Sequence, residues 1–135
     1  MAIDKIEHIG IAVKDLVAAN KVYESLLGSA PYKTEKVESE GVNTSFFKCG
    51  ASKIELLEAT NANSAIAKFI EKRGEGVHHI AFAVDDIEAE ITRLISEGFV
   101  VLNEKPKKGA DNKLVAFLHP RSSHGVLVEL CQEIP

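Results

Sequence analysis

The segment His8-Ile9-Gly10-Ile11-Ala12-Val13-Lys14-Asp15-Leu16 returns 71 positions later as His79-Ile80-Ala81-Phe82-Ala83-Val84-Asp85-Asp86-Ile87. His meets His, Ile meets Ile, Val meets Val, and Asp15 meets Asp86. A repeat constrains a fold strongly, because both copies must build the same unit and bury the same faces. Each copy then runs into a helical pattern that ends near a glycine: Leu16 to Leu27 before Gly28, and Ile87 to Ser96 before Gly98. Strand-like material follows in both, at 43–48 and 53–58 in the first copy and at 113–119 and 126–131 in the second. The closing strands align as well, with Ile54-Glu55-Leu56 matching Val128-Glu129-Leu130 at an offset of 74. Loop insertions account for the drift.

Each half thus reads β-α-β-β, with room for one more strand. The joint lies within 60–75 and includes a predicted helix from Asn63 to Lys72. The segment from Asn103 to Asn112, with Lys105, Lys107 and Lys108, reads as a surface loop. The halves are too short to be stable separately. We therefore expect one domain over 1–135, with modules at about 1–60 and 76–135 and a linker helix at about 61–75.

Composition removes several function classes. The chain has 135 residues, 45% of them apolar, which is enough for a core without disulfide or metal staples. Its 20 acidic and 16 basic residues leave a net charge of −4, so neither nucleic acid nor an anionic membrane surface is an expected partner. No apolar stretch approaches the roughly 20 residues of a membrane span. The opening residues have no apolar signal core, and the expected location is the cytoplasm or an equivalent such as the mitochondrial matrix. Cys49 and Cys131 lack a CxxC spacing and are expected to be buried, reduced thiols.

Strand alternation shows where chemistry can sit. His8, Gly10 and Ala12 share one face of their strand, and Ile9, Ile11 and Val13 share the other. In the second copy His79, Ala81 and Ala83 oppose Ile80, Phe82 and Val84. Both strands offer bulky residues to covering helices and, on the other side, a histidine beside small residues that leave volume open. Glu55 and Glu129 stand in otherwise apolar strands, where an unpaired carboxylate is expensive to bury. If the halves are related by approximate two-fold symmetry, both His and both Glu converge. Two imidazoles and two carboxylates suit a divalent transition metal, with positions left for substrate oxygens. His78 points to the opposite face and reads as structural. His119 and His124 read as structural or substrate-proximal, and Tyr23 and Tyr32 as packing residues.

With these residues in view, the sequence resembles the vicinal-oxygen-chelate (glyoxalase-like) superfamily and, within it, the methylmalonyl-CoA epimerases. The carrying stretches are His8-Ile9-Gly10-Ile11-Ala12-Val13 with Asp15-Leu16, and Gly74-Glu75-Gly76-Val77-His78-His79-Ile80-Ala81-Phe82. A third joins Phe117-Leu118-His119-Pro120 to His124-Gly125-Val126-Leu127-Val128-Glu129-Leu130. The resemblance implies an α+β fold of two tandem βαβββ modules forming a curved mixed sheet around a metal cleft. It matches His8, His79 and Glu129 to metal ligands and puts Glu55 where relatives carry Gln or Glu. Some relatives have a catalytic Glu two residues after the Gly-Val that opens the second strand. Here Gly41-Val42 leads to Thr44 in that place, with Glu38 and Glu40 nearby.

The implied activity is epimerisation of (R)- and (S)-methylmalonyl-CoA by α-proton abstraction through a metal-stabilised enolate. The implied cofactor is one divalent ion, Co²⁺ first, with Mn²⁺, Ni²⁺ or Zn²⁺ as alternatives. Glu129 is the first candidate base, doubling as ligand, and Glu55 the second. The implied partners are an acyl-CoA substrate and a second copy in a homodimer. Lys105, Lys107, Lys108, Lys113 and Arg121 either meet coenzyme A phosphates or form a solvated charge run. One rival is glyoxalase I, whose ligand set of two His and two Glu is also matched, although its Asp-Pro-Asp-Gly-Tyr type turn is absent. The other is a metal-free binding protein of the same superfamily, whose members have generally lost these ligands.

Overall fold

The structure, a computed structural model, describes residues 3–135. In chain order the elements are β1 (Ile3–Ala12), α1 (Leu16–Leu27), β2 (Lys33–Val37), β3 (Val42–Cys49) and β4 (Ser52–Ala59). Then follow α2 (Ala65–Arg73), β5 (Gly76–Val84), α3 (Ile87–Ser96), β6 (Lys107–Lys108), β7 (Lys113–Leu118) and β8 (Val128–Glu133). They fall into two compact units. One is His8–His78; the other is 79–135 together with the start of the chain up to Glu7. Among the described residues, no helix is long and apolar enough to cross a membrane.

In the His8–His78 unit the strand order is β2-β3-β4-β1. Strand β1 pairs parallel with β4, and β3 pairs antiparallel with both β4 and β2. Asp15 starts α1: its carboxylate accepts from Ala18 N at 3.2 Å, satisfying a donor that helix geometry leaves orphaned. Leu16, Ala19, Tyr23 and Leu27 recur at helical spacing along α1 and pack on Val13, Phe47, Leu56 and Ile54. Phe47 and Leu56 are wholly buried, each worth about 1.5–3 kcal/mol relative to exposure.

The second unit orders its strands β5-β8-β7-β6, with β5 parallel to β8 and the remaining pairs antiparallel. Asp86 caps α3 as Asp15 caps α1, accepting from Ala89 N at 3.1 Å. Ile87, Ile91 and Leu94 bury one face of α3 against Val84, Ala116, Leu118 and Leu130.

Both repeat helices occupy the residues expected. Helix α2 starts later than predicted because Ser64 is its cap, accepting from Ala67 N at 3.1 Å. Strand β8 likewise starts at Val128, since His124 and Gly125 turn the chain with φ of 55° and 92°. Two strands escaped the pattern. Strand β2 alternates charged residues with few apolar ones, and β6 is two lysines inside the expected loop. Cys49 corrects another expectation: it is exposed at the β3–β4 turn, whereas Cys131 is buried. Both are free thiols.

Candidate metal and proton-transfer residues

Each unit builds one buried histidine–glutamate contact. In the His8–His78 unit, β1 and β4 bring Gly10 opposite Glu55 and His8 opposite Lys53. Glycine at position 10 leaves the Glu55 side chain room to turn back along the face, and His8 Nδ1 lies 3.1 Å from Glu55 Oε2. In the second unit Ala81 stands opposite Glu129 on β8. The small alanine has the same consequence, and His79 Nε2 lies 2.9 Å from Glu129 Oε1. All four side chains are buried. The other Glu129 oxygen, Oε2, accepts from the Cys131 thiol at 3.4 Å. The Phe117 ring meets His79 edge-on at 5.9 Å, fixing the imidazole plane from β7.

The remaining histidines lie outside these two contacts. His78 packs edge-on against Phe69 of α2 at 5.0 Å. His119 accepts from Arg121 N through Nδ1 at 3.0 Å, capping the short 3-10 turn Pro120–Ser123, and His124 is exposed at its end. Tyr23 packs on Phe47 and Tyr32 on Phe46, as expected of packing residues. Glu38 and Glu40 lie in a short 3-10 turn between β2 and β3, with the Glu38 carboxylate 3.4 Å from Lys36 Nζ.

The basic group divides. Lys105, Lys107, Lys108 and Arg121 are exposed, whereas Lys113 is buried with its ammonium 3.2 Å from Glu133 Oε1. A cavity of about 340 Å³ in this unit is lined by Lys5, Glu7, Ala83, Lys113, Cys131 and Glu133 among others.

Sequence reasoning missed one pair of supports. Glu58 Oε2 accepts from Leu16 N at 2.9 Å, and Gln132 Oε1 accepts from Ile87 N at 2.8 Å. Each side chain ties the start of its unit's helix to the end of the strand that carries the glutamate. The offset of 74 that joins Glu55 to Glu129 also joins Glu58 to Gln132, so extending that alignment marks the two as equivalent positions, though not their bonds to the helices.

The family model described as the Glyoxalase/Bleomycin resistance protein/Dioxygenase superfamily matches residues 7–117. The chain belongs to this superfamily. The ethylmalonyl-CoA/methylmalonyl-CoA epimerase of Cereibacter sphaeroides is 42% identical over 132 residues, covering 96% of this chain and 98% of that protein. The human mitochondrial methylmalonyl-CoA epimerase is 39% identical over 129 residues, covering 95% of this chain and 73% of its own. A solved methylmalonyl-CoA epimerase in complex with methylmalonyl-CoA and NH4+ superposes with a TM-score of 0.94 at 39% identity, over 98% of this chain and 96% of that one. The fold is accordingly the α+β, glyoxalase-like fold that the resemblance implied.

Proposed function

We infer that this chain is a methylmalonyl-CoA epimerase, which interconverts the (R)- and (S)-thioesters by removing and returning the α-proton. The observation that carries the reading is the pair of buried His–Glu contacts at equivalent repeat positions, in a chain that matches 98% of an ethylmalonyl-CoA/methylmalonyl-CoA epimerase. A structural accident has no reason to recur at matched positions.

The donor set fits a metal. Glu55 and Glu129 bring two formal negative charges into buried surroundings, and a divalent ion matches that charge. Two imidazole nitrogens and two carboxylates are ligands of borderline hardness, suited to Co²⁺, Mn²⁺, Ni²⁺ or Zn²⁺, with Co²⁺ the ion we assign. We propose His8, Glu55, His79 and Glu129 as the residues that hold it. Bound there, the ion would supply Lewis-acid stabilisation of the negative charge that develops on the substrate's thioester oxygen.

The chain's own groups carry the proton. Glu129 is the base we name first and Glu55 the second, so that each carboxylate serves one face of the inverted carbon. The Cys131 thiol holds one Glu129 oxygen and His79 lies against the other, which restricts the carboxylate to one rotamer. The exposed cations Lys105, Lys107, Lys108 and Arg121 are our candidates for the coenzyme A phosphates; Lys113, already paired with Glu133, drops out of that group. Two free thiols are compatible with a reducing compartment, and we assign the cytoplasm.

The experiment is α-proton exchange of methylmalonyl-CoA in deuterated buffer with added divalent metal, run beside lactoylglutathione formation from methylglyoxal and glutathione. Exchange with negligible lactoylglutathione is expected. The opposite pattern would move the chain to glyoxalase chemistry.

A further inference from the structure

Thr44 is only 1% exposed, and its Oγ1 has no hydrogen-bond partner. Register places it on the face that carries Glu55. Thr44 stands opposite Leu57 and Phe46 opposite Glu55, while on the other side of β4 Ala12 and Gly10 complete the same two rows. Thr44 is therefore diagonal to Glu55, a relation that separates the two backbones by about 7–8 Å. The Thr44 hydroxyl makes no hydrogen bond to Glu55 across that diagonal.

The surroundings make the hydroxyl costly. Val42, Phe46 and Leu57 are buried apolar neighbours on this face, and a donor left unmade among them destabilises the free protein. Ser45 Oγ, also without a partner, lies on the opposite face, where Ser45 stands opposite Leu56. Alternation thus separates Ser45 from the residues of the proposed reaction and leaves Thr44 among them. Thr44 is two residues from Phe46 on the same strand, and the Phe46 ring is braced by Tyr32 at 6.0 Å, so the strand that presents the hydroxyl is well supported.

We propose that Thr44 is a substrate-binding residue whose hydroxyl donates to the carboxylate of the acyl group that undergoes epimerisation. The proposal rests on the epimerase reading. The carboxylate is the strongest acceptor such a substrate offers, and a charge-assisted hydrogen bond answers a buried donor better than a neutral carbonyl does. A threonine hydroxyl holds its proton near neutral pH, so its part is to orient the substrate and not to move the α-proton.

Thr44→Val removes the hydroxyl at nearly constant volume, and Thr44→Ser restores it. Three quantities are read: the thermal unfolding midpoint, KM for methylmalonyl-CoA in α-proton exchange, and inhibition by propionyl-CoA, the same kind of thioester without the carboxylate. For Thr44→Val we expect KM to rise about tenfold or more, the loss typical of one hydrogen bond to a charged group. The midpoint should rise by about 3 °C as the unpaired donor disappears. Inhibition by propionyl-CoA should not change, and Thr44→Ser should recover most of KM. An unchanged KM in Thr44→Val overturns the proposal, as does a lowered midpoint with activity lost in proportion. Equal weakening of propionyl-CoA overturns the assignment to the carboxylate. A wild-type protein that exchanges no α-proton overturns the epimerase reading itself, and this inference with it.

Discussion

Helix α3 buries Ile87, Ile91 and Leu94, whereas α1, its counterpart in the repeat, has no fully buried residue and exposes Val17, Val22 and Leu26. The edge strands differ too: β2 has five residues and β6 has two. Against this drift, three features stay matched. Each helix has an aspartate cap, each first helical N–H is held by a side chain from the glutamate-bearing strand, and each unit closes a buried His–Glu contact. Helix packing and edge pairing tolerate divergence because many residue combinations bury similar area. As the metal ligands we propose, the His–Glu pairs would not, because a ligand displaced by an ångström no longer meets its ion.

The sharpest way to break the symmetry is at the two carboxylates. Glu129→Gln, saturated with metal, should remain at least about a hundredfold slow in α-proton exchange, the low end of what removing a general base costs. Glu55→Gln should lose less. Recovery of near-normal exchange by Glu129→Gln on adding metal would make Glu129 a ligand only, and the first proton acceptor would then be Glu55.

The helices offer the next largest contrast. Ile91→Ala on α3 empties a buried site and should cost about 2–5 kcal/mol. Val22→Ala on α1 removes an exposed group and should stay within about 0.5 kcal/mol. Chemical denaturation reads both, and equal costs would show that the two helices are anchored alike. Smallest of all are the caps. Asp15→Ala and Asp86→Ala should each lose about 1 kcal/mol, and similar values would confirm that this feature is shared at equal strength.

Much of this plan was legible in the chain. Asp15 and Asp86 precede apolar periodicity, and each helix formed where that pattern placed it. Alternation around Gly10 and Ala81 put small residues on the face of each histidine, and the register then sets them opposite Glu55 and Glu129. Strand β2 was not legible, because Lys33, Glu35 and Lys36 satisfy an edge strand's solvent side without an apolar rhythm. Cys49 was misjudged because residue type alone favours burial, whereas its place just before Gly50, with φ of 62°, puts it at a hairpin tip. The Glu58 and Gln132 contacts join residues 42 and 45 positions apart, a pairing that no local pattern announces. Nor could the sequence show that the Thr44 hydroxyl is left without a partner, since that depends on what register brings beside it.

We propose that the two His–Glu pairs serve one metal ion. Titration of the metal-stripped protein with Co²⁺, followed by calorimetry and by elemental analysis of the loaded chain, tests it directly. The expected result is a single tight ion per chain, with His8→Ala and His79→Ala each lowering its affinity by about a hundredfold or more, at or beyond the upper range for residues that merely support a ligand. Two ions per chain, or one variant that keeps full affinity while the other loses it, would contradict the claim, for each pair would then be acting alone.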